Sequence, residues 1–393
     1  MKNILFIITS LEAGGAEKSI VSLLNSIRKD RYNIDLILLK KAGIFMEQIP
    51  NNVKIMDLPF PFECLGVSAK NVPYYLSHNI QWYIKKIKRS ITARYNRKLH
   101  FQQALWQQWM NDIPMLQKEY DVAISYIEGI CNYYVIDKVF AQKKILWIHN
   151  EYDKLCYNKV YDNNYFQKAN YIVTVSENCA NNLKINFPKL STKIKIIENI
   201  SNPDLILSMS KEVVQNKLFT ESSGYKILSV GRLSPQKGYD LSLQSAKILK
   251  EQGVNFKWYI IGIGALLKDL LDYSKALGLT ENIIFLGLQS NPYKYMAKAD
   301  IIVQTSKFEG QSIAIDEAKI LCKPIVITNY VTAKDVIDNN INGVIADMNP
   351  ESIALNIIRV LENKDIQDKF KSNLRRQNID NTHILNNFYS LIQ

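Results

Sequence analysis

Cysteine is scarce in this 393-residue sequence, and its pattern excludes two kinds of site. No two cysteines have the C-x-x-C spacing, and their odd number argues against a disulfide framework or a zinc site. We expect reduced, mostly buried cysteines in a cytoplasmic protein, with no metal required. The five are Cys64, Cys131, Cys156, Cys179 and Cys322.

Long apolar runs and low-complexity tracts are also missing. No stretch approaches the roughly 20 apolar residues that span a bilayer, so we expect no membrane crossing. The run from Ile4 to Ile8 is short and leads directly to Glu12, which favours a buried strand over a signal peptide. With 47% hydrophobic and 22% charged residues, the chain is predicted to fold throughout.

The charge is unbalanced. The formal net charge of +12 predicts attraction to an anionic partner, which can be a nucleic acid, a phospholipid surface or a phosphorylated substrate. Charge alone does not choose among the three.

Short apolar runs of strand length alternate with longer amphipathic segments. This alternation predicts parallel sheets with crossover helices, hence an α/β fold. The length favours two domains, and the rhythm weakens near Pro203, where we place a hinge. We predict two doubly wound domains, residues 1–203 and 204–375, with 376–393 as a terminal segment. The first helix is expected from about Ala16 to Arg28, and the strands are Ile4 to Thr9, Ile34 to Leu39, Val122 to Ser125, Ile145 to Ile148, Ile194 to Ile197, Ile227 to Val230, Trp258 to Ile261, Ile283 to Leu286, Ile301 to Gln304, Pro324 to Thr328 and Val344 to Ala346.

Residues 75–112 break this pattern and predict one long basic helical insertion. Isoleucines recur at near-helical spacing, and the opposite face is basic without an acid. Such a helix either lies on an anionic membrane, with tryptophans as interfacial anchors, or packs its apolar face on its own domain. The sequence leaves both alternatives open. The candidate membrane residues are Trp82, Lys85, Lys86, Lys88 and Arg89, and Trp106 and Trp109 are further candidate anchors.

The segment from Val230 to Asp240 leaves a predicted strand and enters a helix, at the end of the sheet where open α/β folds bind ligands. Arg232 and Lys237 can converge there on a diphosphate, the first as a planar fork and the second as a mobile point charge. Taken alone, two such charges are more often solvated surface.

A second segment, from Ser306 to Lys319, supports the first. Glu309 precedes a predicted helix from about Ile313 to Ile320, and Glu317 lies one turn into that helix, which has Ser312 as its N-cap. Gly310 allows close backbone approach, and the helix N-terminus suits phosphate oxygens. Glu317 can accept both hydroxyls of a ribose, and Glu309 can reach a donor sugar.

Together these segments resemble a family 4 retaining glycosyltransferase of the GT-B fold, over nearly the whole chain and most strongly from Val230 to Asn329. The resemblance implies two Rossmann-like domains that face each other across a cleft, with the acceptor on the first and the nucleotide-sugar donor on the second. It implies metal-independent transfer with retention, and a terminal helix that packs back on the first domain. The implied donor-binding residues are Gly15, Gly231, Arg232, Lys237, Gly264, Glu309, Gly310, Gln311, Ser312, Ile313 and Glu317.

Two segments of the first domain fit the same resemblance. Gly15 follows the first strand, where the family has a glycine loop near the donor phosphates or acceptor, and G-x-G-x-x-G is absent, so a nicotinamide cofactor is disfavoured. His149 matches the family's cleft histidine, which contacts the donor sugar, although a lone histidine is more often structural. The implied catalytic residues are His149, Glu309, Arg232 and Lys237.

The sequence departs from the family pattern at Gln311-Ser312 and at Cys322, which leaves the identity of the sugar open. We expect a UDP-sugar donor, no cofactor, and a saccharide or lipid-linked acceptor of envelope polysaccharide synthesis, met in the cytoplasm or at the inner face of the plasma membrane. A non-catalytic nucleotide-sugar-binding protein is an alternative. A nucleic-acid-binding protein is a weaker one, because no recognisable binding module appears.

Overall fold

The computed structural model describes residues 1–12, 14–62, 65, 80–309, 311–377 and 381–393. The chain forms two compact units, the first comprising Met1–Ile200 and Thr382–Gln393, the second Ser201–Asn381. Each unit is built on its own parallel sheet.

The first unit holds a seven-stranded parallel sheet in the order β3-β2-β1-β4-β5-β6-β7. Its central strand β1 is buried on both faces, as expected for a strand covered by helices on each side. Leu5 and Ile7 point into one apolar cluster, while Phe6 and Ile8 point into the other. The strands are β1 Lys2–Ile8, β2 Tyr32–Leu38, β3 Val53–Met56, β4 Tyr120–Ser125, β5 Ala141–Ile148, β6 Tyr171–Thr174 and β7 Ile194–Ile196.

Helices cover both faces of this sheet, and the last of them comes from the end of the chain. That helix, α16, lies in the first unit because Phe388 is buried against Phe6, with ring centroids 6.2 Å apart. The described helices of the unit are α1 Gly15–Ser26, α2 Ile80–Arg94, α3 Phe101–Trp109, α4 Ile130–Lys138, α5 Lys159–Phe166, α6 Glu177–Asn186 and α16 Thr382–Ile392.

The predicted single helix over 75–112 is wrong, because the described part of it contains two helices, α2 and α3. Asn96 ends the first by accepting hydrogen bonds on its side-chain oxygen from the backbone amides of Lys98 and Leu99. His100 begins the second, since its Nδ1 accepts from the Gln102 amide. Short polar side chains that bond to nearby backbone compete with helix continuation.

The second unit holds a six-stranded parallel sheet in the order β10-β9-β8-β11-β12-β13. Within the unit this is the order 3-2-1-4-5-6 of a Rossmann-like fold. The strands are β8 Tyr225–Val230, β9 Phe256–Ile261, β10 Ile283–Gly287, β11 Ile301–Gln304, β12 Ile325–Thr328 and β13 Val344–Ala346. The helices are α7 Pro203–Ser210, α8 Lys217–Thr220, α9 Tyr239–Glu251, α10 Leu267–Ala276, α11 Tyr293–Lys298, α12 Ile313–Ile320, α13 Ala333–Val336, α14 Pro350–Glu362 and α15 Lys364–Arg376.

The predicted α/β fold of two Rossmann-like sheets is therefore confirmed. Each sheet also has a switch point, where the connections change direction and where open α/β sheets bind ligands. It lies between β1 and β4 in the first unit, and between β8 and β11 in the second.

Candidate active site

The second unit brings its two predicted segments together at its switch point. One loop follows β8 and carries Arg232 and Lys237, and the other follows β11 and carries Glu309. The Lys307 amide donates to the Gln236 carbonyl at 2.7 Å, and the Gln236 side chain donates to the Phe308 carbonyl at 3.0 Å. The two loops therefore form one connected surface.

The Glu309 carboxylate is the centre of this surface and is only 6% exposed. Its Oε1 accepts from Lys237 Nζ at 2.7 Å, from Gln304 Nε2 at 2.7 Å and from Ser306 Oγ at 2.5 Å. Gln236 Nε2 lies 3.4 Å from Oε2. Two predicted residues, Lys237 and Glu309, thus form a partly buried ion pair, with the lysine side chain 19% exposed. Because an ammonium has three N–H donors, Lys237 can hold Glu309 and still bind a phosphate oxygen.

Arg232 differs from Lys237 in being exposed. Within the described ranges, its guanidinium has no hydrogen bond or ion pair. All its donors are available to an external anion, in the planar geometry that matches phosphate.

Helix α12 spans Ile313–Ile320, as predicted, but its N-terminus is not capped in the predicted way. Ser312 occupies the N-cap position with extended backbone, yet its hydroxyl makes no capping bond and donates instead to Gln304 Oε1 at 2.6 Å. The first-turn amides of α12, including that of Ile313, are left without this cap. Gln311 donates to Asp316 at 3.1 Å. The predicted residue Gly310 lies outside the described residues.

Glu317, on the same helix, is buried and accepts from the Tyr293 hydroxyl at 3.0 Å on Oε1. Burial, and then the Glu317 carboxylate, raise the pKa of Tyr293 far above its ordinary value, so this hydroxyl stays a donor. Tyr293 therefore fixes one oxygen of the carboxylate predicted to bind ribose.

Two predicted glycines, Gly231 and Gly264, and the nearby Gly262 bring backbone segments close together. A Cβ on Gly264 would overlap the backbone of Leu233, and one on Gly262 would overlap the carbonyl oxygen of Gly231. A Cβ on Gly231 would lie 3.3 Å from Lys237 Cε. These glycines let the loop after β9 press against the loop after β8, and they leave room for the Lys237 side chain.

The first unit carries its own group of polar residues at the ends of β4 and β5. His149 Nε2 lies 3.0 Å from the Tyr126 carbonyl oxygen, which can only accept, so Nε2 carries the proton and Nδ1 is an unprotonated acceptor. Nδ1 is buried and, among the described residues, has no partner. Burial lowers the pKa of His149, although Glu128 opposes this, so the ring is neutral near pH 7.

Glu128 organises this group and was not singled out from the sequence. Its two oxygens accept from the His149 backbone amide at 3.0 Å and from the Asn150 side chain at 2.5 Å. The available signal was an acid followed by Gly129 just beyond a strand, and Gly129 has a φ of +90° that favours glycine. Gly15 is the first residue of α1, directly after the loop that follows β1.

The candidate membrane residues of α2 are mostly committed to contacts within their own unit. Lys86 is buried, and Trp82 packs on the core with its ring 5.9 Å from that of Trp109. Arg89 forms an ion pair with Asp112 at 2.5 Å, and Lys85 Nζ lies 4.3 Å above the Trp82 ring. Lys88 is exposed. Trp106 and Trp109 are fully buried, so their prediction as interfacial anchors is wrong.

The apolar face of α2 is exposed and does not pack on its own unit, which was the second of the two alternatives. Its four isoleucines, named here the isoleucine stripe, are exposed by 46%, 55%, 36% and 52% for Ile80, Ile84, Ile87 and Ile91. The helix packs through its opposite side, which includes Lys86 and Ala93. None of the described helices is both long and apolar enough to cross a membrane.

Residues 210–377, which lie within the second unit, match the family described as Glycosyl transferases group 1. An uncharacterized glycosyltransferase of Methanocaldococcus jannaschii is 29% identical over 226 residues, which cover 54% of each protein. The chain thus spans about half the length of this relative.

Two further comparisons cover more of the molecule. The N-acetylgalactosamine-N,N'-diacetylbacillosaminyl-diphospho-undecaprenol 4-alpha-N-acetylgalactosaminyltransferase of Campylobacter jejuni is 27% identical over 58% of this chain and 75% of its own. The structure of S. aureus TarM in complex with Fondaparinux, alpha-GlcNAc-glycerol and UDP has a TM-score of 0.70 over 100% of both chains, at 15% identity. This last likeness supports the GT-B fold.

Proposed function

We propose that this protein is a retaining, family 4 type glycosyltransferase that moves a sugar from a UDP-sugar to a saccharide or lipid-linked saccharide acceptor in envelope polysaccharide synthesis. The observation that carries the proposal is the ion pair between Lys237 and Glu309 at the switch point of the matched unit, with Lys237 on the same loop as Arg232, which has no partner among the described residues. The UDP of the TarM complex and the acceptor in the Campylobacter relative's name support the donor and acceptor classes.

The predicted charged residues and His149 have these roles in the proposal. Arg232, Lys237 and the first-turn amides of α12 bind the diphosphate, Glu317 binds the ribose, and Glu309 binds the transferred sugar. His149 contacts the donor sugar. The two cations provide the charge that a metal supplies in other transferases, so we propose that no metal is needed.

The proposed reaction is a same-face substitution at the anomeric carbon. The bond from that carbon to the terminal phosphate oxygen of the donor breaks, and its electron pair leaves with UDP. The acceptor oxygen forms the new bond on the same face, and its proton passes to a donor phosphate oxygen. Arg232 and Lys237 stabilise the charge that develops on the leaving diphosphate.

We further propose that α2 holds the enzyme at an anionic membrane surface, where a lipid-diphosphate acceptor resides. The isoleucine stripe is exposed, and Lys88 and Arg94 lie on either side of it by helical spacing. Apolar side chains flanked by cations match the interface of an anionic bilayer. The residues in contact are then the isoleucines and their flanking cations, in place of Trp82, Lys85, Lys86 and Arg89.

Nucleotide binding is the first test. We expect UDP to raise the melting temperature of the wild type in EDTA more than GDP, ADP or CMP does. Arg232→Gln should weaken UDP binding about tenfold or more, because charge-assisted hydrogen bonds to phosphate are lost. Since Arg232 has no partner in the described ranges, this change should leave the unliganded melting temperature unaltered.

Arg376→Gln is the matched control, because it removes another exposed arginine from the same unit. Equal losses in both variants would point to non-specific charge attraction. The absence of stabilisation by any nucleotide would contradict the proposed donor site and favour the nucleic-acid-binding alternative. UDP binding without turnover against saccharide and lipid-linked acceptors would favour the non-catalytic alternative.

A further inference from the structure

Gln304 is the last residue of strand β11 and is 7% exposed. Its side chain lies between those of Glu309 and Ser312. Its Nε2 donates to Glu309 Oε1 at 2.7 Å and to Ser306 Oγ at 2.9 Å. Its Oε1 accepts from Ser312 Oγ at 2.6 Å. One buried amide therefore connects the carboxylate proposed to bind the sugar with the first residue before α12.

The orientation of this amide follows from its partners. A carboxylate can only accept, so the group that faces Glu309 must be the NH₂. The opposite orientation would bring the amide oxygen against the Glu309 carboxylate and lose two donated hydrogen bonds. No other residue type offers two donors and one acceptor in this planar arrangement at this length.

We propose that Gln304 is a positioning residue of the donor site, which holds Glu309 toward the sugar and holds the Ser312 hydroxyl away from the α12 amides. This inference rests on the proposed function. A serine at an N-cap position ordinarily accepts from an amide of the first turn. Here the hydroxyl donates to Gln304 instead. The Ile315 amide already donates to the Ser312 carbonyl oxygen at 3.0 Å. The amides available to the terminal phosphate of UDP are therefore those of Ile313 and Ala314.

The proposal predicts a rescue that a merely structural role does not. Gln304→Met keeps the length of the side chain but loses both functions of the amide. Ser312 is then released and can rotate to cap α12, where it competes with phosphate. We expect Gln304→Met to weaken UDP binding about fivefold to tenfold, as for the loss of one or two hydrogen bonds to a charged group. UMP, which lacks the terminal phosphate, should lose less.

The double variant Gln304→Met/Ser312→Ala removes the competing hydroxyl, so most of the UDP affinity should return. The contribution of the sugar to the affinity for the UDP-sugar should not return, because Glu309 still lacks its Gln304 donor. It is measured as the ratio of the dissociation constants of UDP and of the UDP-sugar that stabilises the wild type most. Titration calorimetry of wild type, both variants and Ser312→Ala gives all four corners of the cycle.

The outcomes separate this inference from the proposed function. If the wild type binds no nucleotide, the proposed function fails. If it binds UDP but the double variant is no tighter than Gln304→Met, the role of Gln304 toward Ser312 is wrong. If the sugar contribution survives in Gln304→Met, its role toward Glu309 is wrong. Should Gln304→Met not fold, Gln304→Asn keeps an amide that is too short to reach both partners and tests the same cycle.

Discussion

The hydrogen bond from Tyr293 to Glu317 bears on the proposed role of Glu317 in binding ribose. The Tyr293 hydroxyl donates to one oxygen of the buried Glu317 carboxylate. A ribose hydroxyl must therefore either displace this hydrogen bond or donate to the carboxylate alongside it. We expect Glu317→Gln to weaken UDP binding about tenfold, but to weaken binding of 2′,3′-dideoxy-UDP much less, because that nucleotide lacks both ribose hydroxyls that the carboxylate is proposed to accept. Calorimetric titration of both nucleotides with both proteins measures the difference.

An equal loss for the two nucleotides would contradict the ribose role and indicate a general disturbance of α12. Tyr293→Phe is the control for that disturbance. It removes the hydroxyl that donates to Glu317 and keeps the carboxylate.

His149 provides a prediction about pH. Burial lowers its pKa in the folded state, so the unfolded chain binds a proton that the folded chain does not as the pH falls through about 6.5. The wild type should therefore lose up to about 1.4 kcal/mol of stability from this residue at pH 5.5, and nothing at pH 7.5. His149→Gln should lose correspondingly less on acidification.

Urea unfolding followed by tryptophan fluorescence measures this, because four of the five tryptophans, Trp82, Trp106, Trp109 and Trp147, lie in the first unit. The pKa of His100 is also lowered by burial, but both proteins keep it, so it cancels. Equal acid sensitivity in the two proteins would show that His149 is protonated in the folded state.

At the scale of elements, α2 has the most unusual arrangement, with its isoleucine stripe exposed and a lysine buried. We expect the wild type to co-sediment with vesicles of 30% phosphatidylglycerol in phosphatidylcholine, and more weakly at 0.5 M salt. Ile84→Gln/Ile91→Gln should bind about tenfold or more weakly, because two apolar side chains no longer enter the interface.

The control is Val160→Gln/Ile185→Gln, which changes two exposed apolar residues of the same unit outside α2. Membrane docking through α2 is wrong if the two double variants bind alike. It is also wrong if the wild type is a dimer that the stripe variant dissociates, since the stripe then covers a second copy.

The order of strands and helices was largely predictable, because buried parallel strands contain continuous apolar runs such as Ile301 to Val303. Two strands were missed, β3 Val53–Met56 and β6 Tyr171–Thr174, each of only four residues, and β3 includes the exposed Lys54. Periodicity found the isoleucines of α2 but not the direction they face, which depends on which side of the helix packs against α3 and the core. Side-chain partners were also beyond the pattern, as Ser312 shows, because its choice of Gln304 over the helix amides is a tertiary contact.

At the scale of the molecule, the chain passes from the first unit to the second after Ile200 and returns after Asn381. The Glycosyl transferases group 1 match lies entirely between these points. Apart from Gly15, the proposed diphosphate and ribose contacts are all in the second unit, so nucleotide binding should not require an intact first unit.

Helix α16, with which the chain returns to the first unit, allows a test of whether nucleotide binding depends on that unit. It buries Ile384, Phe388, Leu391 and Ile392 in the cluster that contains Phe6 and Trp147. Burial of four such side chains contributes roughly 6 to 12 kcal/mol, which is comparable to the whole stability of a typical domain. Ending the chain after Asn381 should therefore abolish the cooperative unfolding of the first unit, seen as loss of its tryptophan transition.

The same truncated protein should still bind UDP with a dissociation constant within a few-fold of the full chain, because Arg232, Lys237 and Glu317 remain in a folded second unit. Phe388→Ala is the milder companion variant, expected to cost about 3 to 5 kcal/mol in the first unit alone. Loss of UDP binding together with the first unit would mean that the donor site depends on that unit. A truncated chain with an unchanged tryptophan transition would mean that α16 contributes little to the core in which it is buried.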